Sequence, residues 1–237
     1  MISVIIPTLN AQASLAATLT SLVPAFVEGL IREVIVADGG SQDRTVALAE
    51  QAGATIVTTL PGRGVQLKAG ATKARLPWLL FLHADTVLDA GWEREVSTFI
   101  DKVDTGTIKP SAACFRFALD DAGARPRTVE LGVAVRTALF KLPFGDQGLL
   151  IPRTLYDDTG GFSELPIMED VAIMQKLGRA RVTRLRTRAI TSAERYRSEG
   201  YFRRILRNQG CLALYLLRVP PARIARLYAP GRPSLTS

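Results

Sequence analysis

The run "LPWLLFLHADTVL", residues 76–88, stays apolar until it meets His83 and Asp85, an imidazole and a carboxylate separated by one alanine. A segment fit for a buried strand gains nothing from an unpaired charge, because taking a charge out of water without a partner is costly. The end of this strand is therefore expected to open into solvent or to hold a partner for the charge. A site is the first reading, and His83, the only histidine in the chain, belongs to it.

The elements that position these groups follow from hydrophobic periodicity. "ISVIIPTL", "EVIVADGG" and "ATIVTT" read as strands. "AQASLAATLTSLVPAF", with Leu15, Leu19 and Leu22 three or four residues apart, reads as a helix. "SQDRTVALAEQAG" reads as a second helix with Ser41 as its N-cap, and "GVQLKAGATKA" as a third, ahead of the strand at 76–88. Strand and helix in alternation, with nearly continuous apolar strands, predict a parallel sheet covered on both faces. Such sheets bind ligands beyond the carboxyl ends of their strands. Thr8, Asp38 and Asp85 all lie at such ends, so three groups distant in sequence should converge on one rim.

Composition narrows the classes. The 237 residues are 47% apolar, enough for one large domain or a domain with an appendage. Two cysteines, Cys114 and Cys211, give neither a disulfide framework nor a CxxC clip. "MISVIIPTLN" has no basic leader and no run reaches the ~18 apolar residues of a membrane span, so a cytoplasmic location is expected. From Arg179 onward there are 14 arginines against Glu194 and Glu199, while the first 178 residues carry 16 basic and 20 acidic side chains. The tail holds the basicity. Nucleic acid, anionic lipid or a diphosphate would all be drawn to it, but its aromatics fit no nucleic-acid-binding motif, so no nucleic acid partner is expected. No GxGxxG follows the first strand, "PGRGVQLKAG" is not a P-loop, and no GxSxG is present to use His83. The acid before glycines in "VADGGS" would also suit a ribose-binding turn.

"VIIPTLN", "VIVADGGSQDRT", "LLFLHADT" and "GGFSELPIMEDVAIMQKL" together resemble the ordered landmarks of family 2 glycosyltransferases, over residues 1 to about 180. "GRGVQLKAG" with "LHADT" is similar to a bacterial radical-SAM/selenodomain-associated subgroup. The resemblance implies a GT-A-like α/β fold with a Rossmann-type, mostly parallel sheet and a C-terminal helical extension. It implies residues 1–190 as the catalytic domain, with a nucleotide-binding half at 1–90 and an acceptor half at 91–190, and 191–237 as a basic helical extension. The implied activity moves a sugar from a nucleotide-diphosphate donor to an acceptor hydroxyl, with inversion.

Each role carried by the resemblance has its own chemistry. Asp38 matches the acid that pairs with the nucleotide base, Thr8 lies on the loop cradling it, and Gly39 and Gly40 let a ligand approach the backbone. A helix-start turn would read the same way. Asp85 matches the second acid of the DxD motif, which holds Mg²⁺ or Mn²⁺ on the diphosphate. His83 stands where the first acid belongs, free to ligate the metal, to hydrogen-bond ribose or phosphate, or to cap the strand. Asp170 matches the base that takes the acceptor proton, with Glu169 beside it. Complementing a helix dipole is the plainer reading of both. Asp146 and Gln147, in "PFGDQGLLIP" at residues 143–152, offer groups suited to sugar hydroxyls. Many relatives carry an arginine at the position of Leu67, so Arg63 or Gln66 is expected to serve the nucleotide instead.

The tail "SAERYRSEGYFRRILRNQGCLALYLLRVPP" predicts an amphipathic helix over about residues 198–219. Its apolar side should bury against the catalytic domain, a second subunit or lipid. Arg203, Arg204 and Arg207 are expected on or beside the exposed face, where an anionic membrane would attract them and give a peripheral inner-face location. Two rival functions stay open: a sugar-phosphate nucleotidyltransferase, and a non-catalytic protein that binds sugar nucleotides or anionic surfaces.

Overall fold

The computed structural model describes residues 1–140 and 145–228, the side chains of 138–140 excepted. Residues Pro143 and Phe144 of the expected sugar-pocket stretch, and the end of the basic extension from residue 229, lie outside the described residues.

The first half follows from its apolar runs. β1 (Ile2–Thr8) pairs in parallel with β2 (Ile31–Asp38) on one side and β4 (Trp78–Phe81) on the other, and β2 pairs with β3 (Thr55–Thr58). Because strand side chains alternate faces, Val4 and Ile6 pack with Leu15 and Leu22 of α1 (Leu15–Val27), whereas Ile5 and Ile35 pack with Leu67 and Ala71 of α3 (Arg63–Lys73). The sheet is thus covered on both faces. Two of the three glycines of "GRGVQLKAG" are packing residues: a methyl on Gly70 would lie 2.4 Å from Ile5 Cγ2, and one on Gly64 2.2 Å from the Ser163 carbonyl oxygen. Only a bare Cα lets α3 lie this close to the sheet and to the loop at 163–165.

The second half adds β5 (Thr86–Leu88), α4 (Trp92–Asp104), β6 (Ala112–Leu119), α5 (Ala124–Phe140), β7 (Leu149–Pro152), α6 (Arg153–Asp158), α7 (Glu169–Leu177) and β8 (Val182–Thr191). The sheet runs β3-β2-β1-β4-β7-β6-β8-β5. β7 is antiparallel to β4 and β6, β5 is antiparallel to β8, and the remaining pairings are parallel. After Thr191 come α8 (Glu194–Glu199), α9 (Tyr201–Leu216) and α10 (Pro221–Tyr228). No helix among the described residues is long and apolar enough to cross a membrane.

Three sequence expectations change. The run at 76–88 is not one strand: β4 stops at Phe81, the chain turns with the Thr86 amide donating to the His83 carbonyl (3.2 Å), and β5 joins the far edge. Four strand spacings of a flat sheet, about 19 Å, would need the link from Phe81 to Thr86 fully extended. It contains a turn, so the sheet curls and brings its edge back toward the end of β4. Ser41 does not cap a helix either. α2 begins at Thr45, whose amide donates to Asp43 Oδ1 (2.9 Å), and Ser41 instead serves Asp38. In the tail, Gly200 at φ +85° separates α8 from α9, and Arg204 is buried rather than exposed. Its guanidinium reaches Glu199 Oε1 (3.0 Å) and the Tyr228 hydroxyl (2.7 Å), and Arg207 shares the same glutamate.

Candidate active site

The parallel register places Thr8 directly beside Asp38 at the carboxyl ends of β1 and β2. Asp38 Oδ1 accepts from the Thr8 hydroxyl (2.9 Å) and the Ser41 hydroxyl (2.5 Å), and Oδ2 accepts from the amides of Gly40 (3.0 Å) and Ser41 (2.7 Å). Burial opposes its ionisation, but the bonds from Ser41, Thr8 and Gly40 outweigh it and hold the carboxyl below its ordinary value. All four acceptor positions of the carboxylate are engaged by the chain itself. Asp38 therefore shapes the loop, and a nucleobase could reach it directly only by displacing Ser41. Gln66 lies beneath: its Nε2 donates to the carbonyls of Thr8 (2.6 Å) and Ala37 (2.9 Å), which ties the two strand ends together and removes that amide group from any ligand.

At the end of β4, the turn 82–85 presents His83 and Asp85. His83 Nδ1 lies 4.0 Å from Asp85 Oδ1, too far for a hydrogen bond, and Nε2 is buried without a hydrogen-bond partner. Burial first, then the charges of Arg63 and Arg195, push the imidazole well below its ordinary value, so it is neutral at physiological pH with a lone pair to offer. The Asp85 carbonyl accepts from the Ser192 amide (3.1 Å), which links this turn to the end of β8.

α7 brings the acidic pair to the same place. Met168, just before it, is held at φ +68°, a left-handed conformation uncommon for a side-chain-bearing residue, and the helix opens on Glu169 and Asp170. Asp170 Oδ2 accepts the Gly145 amide (2.8 Å) and Oδ1 the Val171 amide (2.7 Å), so the carboxylate is fixed in orientation. Glu169 is buried, with Arg63 Nη1 3.5 Å from its Oε1. Burial pushes the Glu169 carboxyl up, Arg63 opposes that, and the neighbouring Asp170 adds to it. For Arg63, burial works against the charge, but Glu169, Asp170, Tyr228 and Asp85 outweigh it.

Asp146 sits in the short 3₁₀ turn Gly145–Gln147 with Oδ1 buried and unpartnered. Burial pushes its carboxyl up to about 6 against the opposing charge of Arg136, with Asp170 and Asp85 adding to the rise. Arg136, from α5, was not anticipated. Its signal was a single charge inside the small and apolar run "ELGVAVRTALF". Gln147 is buried, its Nε2 donates to the Phe115 carbonyl (3.1 Å) and its Oε1 accepts from the Thr137 hydroxyl (3.2 Å), so the chain engages both ends of its amide.

A small, mostly apolar pocket lies where α3, the end of β4 and α7 meet. Arg63, His83, Gly145 and Asp170 line it together with Leu67, Phe81, Phe162 and Met174. Leu67 is thus an apolar wall. The tail covers the neighbouring side, where Cys211 and Leu212 of α9 and Ile224 of α10 pack on Met168 and Val171. Among the described residues no three His, Cys, Asp or Glu side chains gather as a metal cage. A carboxylate beside a neutral imidazole with an orphaned nitrogen fits a hard cation only where substrate oxygens and water complete its shell.

The sequence profile described as "Glycosyl transferase family 2" matches residues 3–127, a little over half of the chain. The chain belongs to that family. An uncharacterized glycosyltransferase of Mycobacterium tuberculosis (strain ATCC 25618 / H37Rv) is 30% identical over 115 residues, 47% of this family 2 chain and 50% of that one. The chain spans about half the length of the curated relatives it matches. Glucosyl-3-phosphoglycerate synthase from Mycobacterium tuberculosis, crystallised with Mn²⁺ and uridine-diphosphate-glucose, has a TM-score of 0.63 at 20% identity over 93% of this chain and 80% of that one. S. aureus TarS in complex with UDP-GlcNAc has a TM-score of 0.61 at 18% identity over 81% and 58%. At these identities the likeness shows the fold: a family 2 chain with a GT-A architecture and added C-terminal helices.

Proposed function

We propose that this chain transfers a sugar from a nucleotide-diphosphate sugar to an acceptor hydroxyl, with inversion, and that Asp170 is the general base. The observation that carries the reading is the meeting of His83 with the oriented Asp170 at Gly145, beside Arg63 and the Asp85 turn. Two structural neighbours are crystallised with uridine-diphosphate sugars, one of them also with Mn²⁺, which supports the donor class and a divalent metal.

In this reading the nucleoside lies on the rim at Thr8, Asp38 and Gly40, with Gln66 acting from beneath. Arg63 faces the diphosphate. Asp85 would hold Mg²⁺ or Mn²⁺ with His83 alongside, and the bound cation would supply charge neutralisation to the departing diphosphate. The acceptor oxygen bonds to the anomeric carbon as the bond to the diphosphate oxygen breaks, and that oxygen leaves with the electron pair. The hydroxyl proton passes to Asp170 late, when the developing oxocarbenium character has made it acidic. Glu169 holds Arg63 in place, and Asp146 faces the sugar. Residues 1–90 serve the nucleotide, 91–190 the acceptor, and 191–237 form the extension. The similarity of "GRGVQLKAG" and "LHADT" supports membership of the radical-SAM/selenodomain-associated subgroup. The absence of a glycine-rich turn after β1 weighs against a nucleotidyltransferase.

Incubation with a panel of nucleotide-diphosphate sugars and Mn²⁺ tests the reading. Release of nucleoside diphosphate that depends on Asp170 is expected, whereas binding without turnover, for every donor, would leave a sugar-nucleotide-binding protein.

A further inference from the structure

α9 carries apolar side chains on both of its sides, the inner set being Tyr201, Ile205, Cys211, Leu212 and Tyr215. At 100° per residue, Phe202, Leu206, Gln209, Ala213, Leu216 and Leu217 fall on one stripe about 100° wide, and all six are exposed. Phe202 is 80% exposed, Leu206 62%, Leu216 52% and Leu217 76%. The opposite side carries the buried Arg204, held by Glu199 and Tyr228, together with Cys211 and Leu212. A surface helix in water points its charges out and its large apolar side chains in. Here a guanidinium is enclosed while a phenylalanine and three leucines face outward. The neighbouring α5, joined to α9 through Val129, Val133, Tyr201 and Ile205, does the same with Leu131 (66% exposed) and Val135 (47%), one turn apart. Arg203 borders the stripe on α9 and Arg218 follows its end, both exposed; Arg223 and Arg226 are exposed on α10, which packs on α9 through Ile224 and Tyr228. Only Glu194 and Glu199 offset them from Arg179 onward, and Glu199 is committed to Arg204 and Arg207.

We propose that this face docks on an anionic lipid bilayer, with the α9 stripe lying in the plane of the interface and these arginines on the headgroups. Apolar residues flanked by arginines match the interior and the charge of such a surface together. A second copy of the chain is the poorer fit, because a two-fold pairing through the stripe would bring two sets of these arginines together. No helix among the described residues is long and apolar enough to cross a bilayer, so the docking proposed is interfacial. The inner side of α9 packs on Met168 and Val171, so the docked surface is one helix layer from Glu169 and Asp170. Resting on the glycosyltransferase reading, the acceptor is then a hydroxyl presented at a membrane surface.

The test is co-sedimentation of the full chain, without nucleotide, with vesicles of phosphatidylglycerol and phosphatidylcholine and with vesicles of phosphatidylcholine alone. Native protein is expected to bind the first and to weaken as salt rises. Phe202→Ser with Leu206→Ser should lower that binding on the order of a hundredfold, and each of R203Q, R223Q and R226Q by about fivefold. All five positions are exposed, so thermal unfolding should match the native chain. No binding to either vesicle at low salt, or native binding by the double serine variant, overturns the proposal. So does a dimer in sedimentation velocity that the serine variant dissociates, because a second copy then covers the stripe. Nucleotide-sugar binding, measured on the same proteins without vesicles, separates the two readings: its loss in every protein removes the acceptor assignment and leaves the docking result standing.

Discussion

His83 and Asp170 meet at one α-carbon, that of Gly145. A methyl there would lie 2.6 Å from His83 Nε2 and 3.6 Å from Asp170 Oδ2. The amide of the same glycine orients Asp170 (2.8 Å). Gly145→Ala should therefore push the imidazole away and disturb the carboxylate at once. Transfer is expected to fall on the order of 10²-fold, the cost of about 1 Å of misplacement, while stability falls by about 1–3 kcal/mol. Steady-state kinetics beside a thermal melt separates the two losses, and native turnover would mean that the His83 position is irrelevant to chemistry.

Asp170→Asn removes the proton acceptor and keeps the shape. The carboxylate accepts two amides, from Gly145 and Val171, and an amide group has one oxygen to offer, so part of its orientation is lost as well. The expectation is a fall of ~10²-fold or more in kcat with donor affinity retained. Equal losses in donor binding and turnover would assign Asp170 to the donor and leave the base elsewhere.

What the sequence made legible was set by local pattern. Strand ends follow from where apolar runs stop, so Thr8 beside Asp38 could be read before any coordinates, as could the acidic pair opening α7. Long-range pairing was not legible. Thr86–Leu88 is too short to announce itself as a separate strand, and its partner at 189–191 lies about a hundred residues away. Nor does an amide in sequence reveal whether it faces a ligand or the chain, and Gln66 and Gln147 both face the chain. Arg204 was misplaced for the same reason: its burial depends on Glu199 five residues back and Tyr228 on another helix.

Asp85→Ala should abolish the metal-dependent part of nucleoside-diphosphate affinity. His83 is neutral and cannot by itself offset the diphosphate charge. Calorimetric titration of the native chain with Mn²⁺ should show tighter binding than with EDTA, and the variant should show no difference between the two. A native affinity that ignores EDTA would remove the cation from the site.

Asp146 gives a pH dependence of stability with a definite sign. Its carboxyl lies at about 6 in the folded chain against an ordinary value of 3.8, chiefly because of burial. The folded state therefore holds this proton more tightly than the unfolded chain does. Below about pH 4 both states are protonated and the residue costs nothing. As pH rises from about 4 to 6 the unfolded chain ionises first, and stability drains away until the folded carboxyl also titrates. The full penalty, at most about 3 kcal/mol, persists above pH 6. Asp146→Asn has no such titration. In metal-free buffer, the melting temperature of the variant relative to the native chain should climb between pH 4 and 6 and then level off, whatever constant offset the amide introduces beside Arg136. A difference that stays flat across that window would place the Asp146 carboxylate in contact with water, and its role beside the sugar would lose its physical basis.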